Sequence, residues 1–576
     1  MRPIELLAPA RNADIGIAAI DCGADAVYIA GPQFGARKDA GNPVSEIARL
    51  CSYASRYGAR VFVTFNILLR DDEFPEVHSQ MLECQKAGAS AFIIRDPRLC
   101  LFEDITVPLH ASTQCSIRSA ERAREFERAG CGRVVLERQL DLPRIREICS
   151  SVQCEVEAFV HGALCVGYSG QCILSERLTG RSADRGECIQ ACRNLYDLVD
   201  ETGRVWQKNK ALLSLKDLNL LDDLTDLLDA GVTSLKIEGR LKNISYVRNV
   251  TRAYSLALDR IVAQHPDLYC RASFGRVEAG FTPSLDKTFN RSYTHLLLDT
   301  RSDDWANFEA PKSMGQKLGT VREVRPLGRG QAEVVLEDTR TALSNGDGFA
   351  FVAGSEIVGF RGDVCRPGHI TCRLPQGLKA GTVLYRNLDR AFESYLDENP
   401  CRRVIGVEVS CRTAEREGGL LDVAFSARSE DGRTAEMRMT GLEASRNPKR
   451  ELALYRNQIE KHSSVYAFSL SAQEGMPAHL GAAALNSVRR DLAVALDSQL
   501  CASVPMLNPQ QREVIDYQVG RREGEVMRSR YCIRRQTGEC LKSGGKSGRL
   551  FLMNNGRKFP LIFDCRNCEM AVGEAL

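Results

Sequence analysis

Residues 109–137, with the sequence LHASTQCSIRSAERAREFERAGCGRVVLE, contain the repeating unit from which we predict the fold. Leu109–Thr113 and Arg133–Glu137 are β-like runs. The segment between them has a helical pattern that begins at Ser119, a good helix N-cap, and stops at Gly130, a common helix terminator. The stretch therefore predicts a strand, a helix and a second strand.

The same unit recurs along the first part of the chain. Further β-like runs are Ile4–Leu7, Ala26–Ala30, Arg60–Asn66, Ala91–Arg95, Glu155–Val160 and Ser234–Glu238. Eight strand-helix units in about 250 residues match the count and size of a TIM-type barrel. A doubly wound open sheet is the alternative, and another β-like run at Leu212–Leu215 would change the strand count by one.

The connection after the seventh predicted strand is the longest, and it runs from His161 to about Lys210. In a TIM-type barrel this loop lies at the active-site end of the strands, and loops of such length are usually functional. Four cysteines in the loop have the spacing C-x6-C-x15-C-x3-C: Cys165, Cys172, Cys188 and Cys192. Four thiolates suit a soft metal centre. An iron-sulfur cluster is favoured over zinc, because structural zinc sites usually have tighter cysteine knuckles.

A second group of four cysteines lies near the C-terminus with the spacing C-x7-C-x24-C-x2-C: Cys532, Cys540, Cys565 and Cys568. Asn554-Asn555-Gly556 predicts a hairpin turn within it. The pattern resembles a zinc ribbon, in which four thiolates close a structural site. Residues 521–558 contain 11 Lys or Arg against 3 Asp or Glu, so this basic segment is also a candidate for contacts with RNA.

The predicted fold class is α/β, with several domains. We predict a TIM-like barrel over 1–300 with a cluster-binding loop at 161–210, a small β-barrel over 310–395, an α+β domain over 400–510 and a basic, ribbon-like segment over 520–576. Short strands with Gly-Asp turns predict the small β-barrel. The α+β prediction rests on strands followed by the helical run Leu485–Leu496.

The composition is that of a cytoplasmic globular protein. Its hydrophobic fraction is 44% and its charged fraction 26%, without an apolar run long enough to cross a bilayer. The opening residues MRPIELLAPA show no export signal. In that setting the 22 cysteines should stay reduced, so the two groups of four are candidates for metal ligands rather than disulfides.

Four motifs are similar to those of a known family: ELLAPA (5–10), EAFVHGALCVGYSGQCILS (157–175), RGECIQACR (185–193) and SLKIEGR (234–240). They resemble the signature of the collagenase-like peptidase family U32 across residues 1 to about 300. Members of that family hydroxylate tRNA wobble uridine, hydroxylate a cytidine of 23S ribosomal RNA, or assist oxygen-independent ubiquinone synthesis.

The resemblance implies an RNA hydroxylase with a 4Fe-4S cluster on Cys165, Cys172, Cys188 and Cys192 and with prephenate as co-substrate. The C-terminal residues 531–535 and 563–570 resemble the ribosomal-RNA branch, whose members are longer than the others. We therefore expect hydroxylation of C5 of a cytidine in 23S ribosomal RNA. The tRNA wobble uridine is the alternative substrate. The role of the cluster, redox centre or substrate anchor, stays open.

Three stretches depart from the family pattern. Asp184-Arg185-Gly186 stands where Asn-Arg-Gly is common, and Phe289-Asn290-Arg291-Ser292 stands for Phe-Asn-Arg-Gly. Ser112–Ser116 differs from the commoner Gln-Met-Asn. None of these changes removes a thiolate ligand.

Candidate catalytic residues lie near predicted strand ends. Prephenate carries two carboxylates, so Arg and Lys side chains should bind it, and Lys236, Arg240, Arg37 and Arg70 are the candidates. For Arg37 and Arg70 a solvated surface charge is the alternative. Two further candidates complete the set, His161 and Glu238.

His161 could donate a proton or be a hydrogen-bonded structural histidine. Glu238 could orient Lys236 or Arg240, or form a buried salt bridge. Two other classes of function compete with the hydroxylase. The chain lacks an H-E-x-x-H helix and a G-x-S-x-G elbow, which disfavours a peptidase. A non-catalytic RNA-binding or cluster-carrying protein would keep both cysteine groups.

Overall fold

The structure is a computed structural model that describes residues 1–37, 40–298, 304–309, 311–338, 340–354, 356–499, 501 and 503–576. The chain starts with seven parallel strands joined by helices. These elements are β1 (Arg2–Pro9), α1 (Ala13–Asp21), β2 (Ala26–Ala30), α2 (Val44–Ser55), β3 (Arg60–Phe65), α3 (Phe74–Lys86), β4 (Ala91–Ile94), β5 (Leu109–Ala111), α4 (Ala120–Arg128), β6 (Arg133–Val135), α5 (Leu142–Ser151) and β7 (Glu155–Gly162).

The eighth barrel strand follows a long insertion. The elements are α6 (Leu174–Thr179), β8 (Tyr196–Asp200), β9 (Val205–Lys210), β10 (Asp217–Asn219), α7 (Leu224–Asp229), β11 (Ser234–Ile237), α8 (Ile244–Gln264), β12 (Tyr269–Arg271), β13 (Arg276–Ala279) and β14 (Tyr293–Thr294). Strand β11 pairs in parallel with both β7 and β1, which closes the barrel. The TIM-like prediction and its eight strands are confirmed, and the open sheet is wrong. Leu212–Leu215 forms no strand, and β10 runs antiparallel to β7.

Local signals explain where the barrel elements begin and end. Strands β2 and β3 are buried along their whole length, as expected inside a ring of helices. The Ser119 hydroxyl accepts a hydrogen bond from the Arg122 amide at the start of α4. Gly130 follows that helix with φ +102°, a left-handed conformation that favours glycine. The predicted boundaries of this helix are therefore confirmed.

The barrel interior contains a chain of buried charges. Arg133 is 1% exposed and pairs with Glu5 at 2.5 Å and with Glu157 at 3.0 Å. Glu157 also pairs with Lys236, at 2.6 Å. Since buried charges are costly unless they are paired, these contacts hold the side chains in place. Through these ion pairs the network of buried charges extends to Lys236, near the C-terminal end of β11.

An antiparallel sheet follows the barrel, at the position of the predicted small β-barrel. Its strands are β15 (Gln316–Gly328), β16 (Gln331–Leu336), β17 (Gly348–Ala353), β18 (Glu356–Arg361), β19 (Val364–Arg366), β20 (His369–Arg373) and β21 (Val383–Leu388). The order is β18-β17-β21-β15-β16-β20-β19. The long strand β15 pairs with β21 through its first half and with β16 through its second, so two half-barrels share one core.

The α+β prediction matches the next elements. They are α9 (Arg390–Glu398), β22 (Arg402–Glu415), β23 (Leu421–Ser429), β24 (Thr434–Leu442), α10 (Pro448–Ile459), β25 (His462–Ser463), β26 (Tyr466–Glu474) and α11 (Ala482–Asp497). The sheet order is β24-β23-β22-β26-β25, and β13 also pairs with β22. Residues that follow the barrel helix α8 thus join this sheet.

Residues 503–524 form an extended strap along the barrel. Strand β4 is followed by a short 3-10 helix, Pro97–Leu101, and the strap packs beside it. The Arg512 guanidinium donates to the Cys100 carbonyl at 2.6 Å, and the Tyr517 ring meets Phe126 edge-on at 6.0 Å. The strap leads the chain from the α+β domain to the C-terminal end of the barrel strands.

The C-terminal segment forms a sheet together with the long barrel loop. Its elements are β27 (Glu525–Ser529), α12 (Ile533–Gln536), β28 (Leu550–Asn554), β29 (Arg557–Asp564) and β30 (Glu569–Gly573). The sheet order is β27-β30-β29-β28-β8-β9, so the C-terminus pairs with the β8–β9 hairpin. Asn555 (φ 47°) and Gly556 (φ 74°) form the predicted hairpin turn. Among the described helices, none is long and apolar enough to cross a membrane.

Candidate active site

A cavity of about 290 Å³ lies at the C-terminal ends of the barrel strands. Side chains from β2, β3, β7 and β11 and from the long loop after β7 line it. The loop contributes all four predicted cluster ligands, Cys165, Cys172, Cys188 and Cys192. The structure therefore brings together four thiols that are separated by up to 27 positions in the sequence.

The four thiols line the wall of the cavity. Within the described parts of the chain, no three His, Cys, Asp or Glu side chains are grouped tightly enough to hold a single metal ion. Burial, together with the neighbouring Cys192 and Cys188 thiols, raises the pKa of the Cys165 thiol to about 12. Cys188 accepts hydrogen bonds from the Gln190 amide (3.4 Å) and the Ser175 hydroxyl (3.6 Å).

Contacts from the barrel and from the C-terminal sheet hold the loop in place. The Gln139 side-chain amide donates to the carbonyls of Cys165 (3.1 Å) and Val166 (2.8 Å). The Ile173 amide, beside Cys172, donates to the Val526 carbonyl of β27 at 2.9 Å. Strand β27 thus supports the loop segment that presents Cys172.

Asp184 connects the loop to the barrel and to the strap. Its carboxylate pairs with Arg95 at 2.8 Å, and its other oxygen pairs with Arg521 of the strap. Arg95 also donates to the Gly170 carbonyl at 2.9 Å, and it is fully buried. An asparagine would leave this buried arginine without a balancing charge. The departure from the family's Asn-Arg-Gly pattern is explained by these two ion pairs.

The cavity wall is strongly cationic. Seven Lys or Arg side chains line it against two carboxylates, Asp184 and Glu238. The cations are Arg37, Arg138, Arg193, Lys236, Arg240, Lys242 and Arg291. Such an excess of positive charge in a confined space attracts anionic ligands.

Lys236 and Arg240, both predicted, reach the cavity from β11 and the turn after it. Lys236 has a buried counterion in Glu157 at 2.6 Å. The guanidinium of Arg240 donates to the Thr64 hydroxyl at 2.7 Å. Burial lowers the pKa of both side chains.

Glu238 also lines the cavity, but its partner differs from the predicted ones. It pairs with Arg138 at 2.9 Å, and the Arg138 guanidinium lies 3.8 Å from the centre of the Phe159 ring. Arg138 lowers the pKa of Glu238 against the opposing effect of burial. The buried salt bridge, one of the two roles considered for Glu238, is the one that the contacts support. Orientation of Lys236 or Arg240 by Glu238 is not seen.

Sequence reasoning missed four basic residues of the cavity: Arg138, Arg193, Lys242 and Arg291. The Lys242 ammonium lies 2.8 Å from the centre of the Phe289 ring, and burial lowers its pKa to about 7. Arg291 pairs with Asp217 at 3.0 Å. The available signal for Arg291 was the motif Phe289-Asn290-Arg291-Ser292, which had no role in the sequence-based prediction.

The comparison with family models decides where the chain belongs. The model of Peptidase family U32 matches residues 11–306, which include barrel strands β2 to β7 and β11, the four loop thiols and Arg291. The chain belongs to peptidase family U32. Its long loop after β7 is therefore part of the U32 region, whereas strands β27 to β30 lie outside the match.

The curated relatives are named either for RNA hydroxylation or as a collagenase. The 23S rRNA 5-hydroxycytidine C2501 synthase of Escherichia coli K12 is 36% identical over 99% of this chain and 94% of its own length. The tRNA hydroxylation protein P1 of Bacillus subtilis is 35% identical over 50% of this chain and 69% of its own length. A protein named Collagenase from Porphyromonas gingivalis W83 is 30% identical over 58% of this chain and 83% of its own length.

His161, inside the U32 motif at the end of β7, does not line the cavity. It is 1% exposed, and its Nδ1 lies 3.3 Å from the Tyr254 hydroxyl. Burial lowers its pKa to about 3, so it is neutral at physiological pH. These contacts favour the structural alternative over the proton-donor prediction.

The two remaining predicted arginines have different positions. Arg37 lines the cavity, whereas Arg70 does not. The Arg70 side chain is 69% exposed and lies 3.9 Å from Glu73. Arg70 is thus the solvated surface charge that was considered as its alternative.

The second thiol group, outside the U32 match, lies in turns of the C-terminal sheet. Cys532 and Cys540 stand at the starts of short helical turns, and Cys568 is exposed with φ 53°. The Lys542 ammonium donates to the Cys568 sulfur at 3.1 Å. Burial is the main cause of the raised pKa of the Cys532 thiol. The nearby Cys540 and Cys565 also raise it. All four predicted ligands are therefore neighbours.

Proposed function

We propose that this chain is an RNA-modifying enzyme that hydroxylates C5 of a cytidine in 23S ribosomal RNA, with prephenate and a 4Fe-4S cluster. One observation carries the proposal: four thiols and seven cations line one cavity at the catalytic end of a barrel. The choice of ribosomal RNA is supported by similarity to the E. coli 23S rRNA 5-hydroxycytidine synthase over 99% of this chain.

Four thiols that line one cavity suit a 4Fe-4S cluster, which binds each cysteine at a different iron. Four thiolates and a cluster carry net negative charge, which the cavity's cations offset. The Gln190 amide and Ser175 hydroxyl donate to Cys188 and would stabilise its thiolate. The bound cluster would supply redox chemistry that acid-base side chains lack.

Three of the cations are available to bind prephenate. Lys236, Arg138 and Arg291 already have carboxylate partners. Arg193 donates to the Leu164 and Leu215 carbonyls and to the Ser214 hydroxyl. Among the described residues, four cavity cations form no ion pair with a carboxylate, and since Arg193 already donates to these oxygens, Arg37, Arg240 and Lys242 are left for a ligand. A ligand with two carboxylates would supply the missing counterions.

In this proposal the side chains bind and orient rather than exchange protons. Thr64 fixes the Arg240 guanidinium at 2.7 Å, so that it presents its other N–H groups to one carboxylate. The Glu157–Lys236 pair keeps the cavity floor polar and charged. The target base must leave its stack to reach the cavity, at a cost of a few kcal/mol. Contacts to the RNA elsewhere on the protein would offset that cost.

For the C-terminal thiols, we propose a structural zinc site. Four thiolates are a donor set that suits tetrahedral zinc, and the turn Cys565–Cys568 has the spacing of a zinc knuckle. Zinc would draw the four neighbouring thiols together and fasten β29 and β30 to α12. The basic residues around it would then form a firm surface for RNA phosphates.

Two other functions are less well supported. A tRNA hydroxylase is favoured by relatives with that name, but the B. subtilis protein matches only 50% of this chain. A peptidase is favoured by the relative named Collagenase. However, no histidine is among the described residues that line the cavity, so the loop thiols lack the base that a cysteine nucleophile requires.

The proposal is tested by mass spectrometry of 23S ribosomal RNA from a strain that lacks this chain. We expect one cytidine without its added oxygen and recovery on expression of the wild-type chain. An unchanged ribosomal RNA together with a change in tRNA would favour the tRNA alternative, and no change in either RNA would contradict a hydroxylase.

A further inference from the structure

The turn after β11 brings an apolar side chain to the rim of the cationic cavity. Residues 239–242 form a tight turn, in which the Lys242 amide donates to the Gly239 carbonyl at 2.8 Å. Gly239 has φ +155°, and a Cβ atom there would lie 2.7 Å from the Tyr246 ring. Only glycine fits this position without strain. The turn therefore lies close against Tyr246 of helix α8.

The side chains of this turn point in different directions. Arg240 is 7% exposed and bonds to Thr64 inside the cavity, and Lys242 lies on the Phe289 ring. Leu241 lies between them and is 46% exposed, although it also lines the cavity. Ile244, the first residue of α8, is 37% exposed. The rim thus has an apolar projection next to a strongly charged opening.

An apolar projection of this kind suits an RNA base that must leave its stack. Proteins that distort nucleic acids insert Leu, Ile or Phe side chains between bases and so compensate for the lost stacking. Enzymes that act on a base ring take that base out of the stack. The cavity would accept the extruded base, and an adjacent apolar group would fill the gap that it leaves.

We propose that Leu241 is the wedge that occupies the place of the target base in the RNA stack while that base lies in the cavity. The inference rests on the proposed RNA hydroxylase function and deepens it, because it assigns a positioning residue for the substrate. Leu241 touches neighbouring bases and takes no part in the chemistry.

The test measures base extrusion directly and does not require the hydroxylation reaction to take place. A 23S ribosomal RNA fragment carries, at the target position, a cytidine analogue that fluoresces when it is unstacked. Binding is measured by anisotropy and extrusion by fluorescence, for a folded fragment and for a single-stranded oligonucleotide of the same local sequence. Wild-type protein is compared with Leu241→Ala, with Leu241→Met, and with Leu268→Ala as a matched control. Leu268 is 57% exposed and lies beyond the far end of α8.

We expect Leu241→Ala to bind the folded fragment but to lose roughly tenfold in the ratio of extruded to stacked base, since a stacking contribution of about 1.4 kcal/mol corresponds to that factor. Its behaviour on the single strand should match wild type, because the base there is already free. Leu241→Met should restore extrusion, and Leu268→Ala should have no effect. Iron content should be the same in all four proteins.

Two results would overturn the wedge. One is normal extrusion by Leu241→Ala on the folded fragment. The other is an equal loss with both RNAs, which indicates a damaged cavity. If wild-type protein binds neither RNA, the hydroxylase proposal itself fails and the wedge fails with it. Failure of the hydroxylase proposal would show as loss of RNA binding by wild-type protein. The two results that overturn only the wedge require wild-type protein that binds RNA.

Discussion

The two groups of four cysteines have the same ligand type but different surroundings. The loop group lines a cavity with seven cations, inside the barrel fold. The C-terminal group lies in turns at the edge of a sheet, with Lys542 in contact with Cys568. The first setting can hold a redox-active centre next to an anionic ligand, and the second can fasten secondary-structure elements. The cysteine spacings favour a cluster in the first group and zinc in the second, and the surrounding charge and shape agree with these two proposed roles.

Replacement of a loop thiol should have the largest effect. We expect Cys165→Ala to lose the cluster and at least about 100-fold in RNA hydroxylation, since in the proposed function the cluster supplies the redox chemistry. Iron and sulfide analysis of anaerobically purified protein, with RNA mass spectrometry, checks this. Cys270→Ala, at a half-buried thiol on β12, serves as the control. Full activity in Cys165→Ala protein would remove the distinction between the two groups.

Arg240 tests the anionic ligand of the cavity. We expect Arg240→Ala to bind prephenate roughly 10- to 100-fold more weakly, because a charge-assisted hydrogen bond contributes about 1.5–3 kcal/mol. Calorimetry of wild type, Arg240→Ala and Arg70→Ala makes the comparison, since Arg70 is an exposed arginine outside the cavity. Equal affinities in all three proteins would contradict the assignment.

Replacement of a C-terminal thiol should separate zinc from iron. We expect Cys565→Ala to lose zinc, keep its iron and bind ribosomal RNA roughly tenfold more weakly, because the basic surface loses its support. Metal analysis and RNA binding on the same preparation measure both effects. Wild-type protein without zinc would contradict the zinc site. Loss of iron in Cys565→Ala would show that the two cysteine groups depend on each other.

Prephenate affinity should depend on pH through Lys242. Burial lowers the pKa of Lys242 to about 7, so its charge is present below that pH and is lost as the pH rises. We expect affinity to fall by up to about tenfold between roughly pH 6 and pH 8.5. Lys242→Arg should keep its charge and flatten this profile. A steep profile in that variant would assign the titration to another group.

His161 should have the smallest effect on catalysis. The ring is buried against Tyr254 and is not among the residues that line the cavity. We expect His161→Gln to lower thermal stability by about 1–3 kcal/mol and to change the hydroxylation rate by less than about threefold. A loss of about 100-fold with intact cluster content would restore the proton-donor role.

The sequence predicted the eight barrel strands because each is a short β-rich run that ends at a turn signal. The grouping of the four loop thiols at one cavity was predictable because they lie within one loop. The pairing of the C-terminus with the β8–β9 hairpin was not, since more than 300 residues separate them and local patterns say nothing about such contacts.

Side-chain direction limited the prediction of the site. His161 and Lys236 both lie at strand ends, but only Lys236 points into the cavity. Lys242 and Arg291 enter it from turns, which have no periodic pattern to indicate their orientation. The role of Asp184 depends on Arg95 and on Arg521, which are far apart in the sequence.

The most direct test of the central claim is mass spectrometry of 23S ribosomal RNA from a strain that lacks this chain, complemented by wild-type, Cys165→Ala or Cys565→Ala protein. We predict that wild type adds one oxygen to one cytidine, that Cys165→Ala adds none, and that Cys565→Ala adds it to a reduced fraction. Full modification of that cytidine with Cys165→Ala, or without any complementing protein, would contradict the assignment of hydroxylation to the barrel cavity.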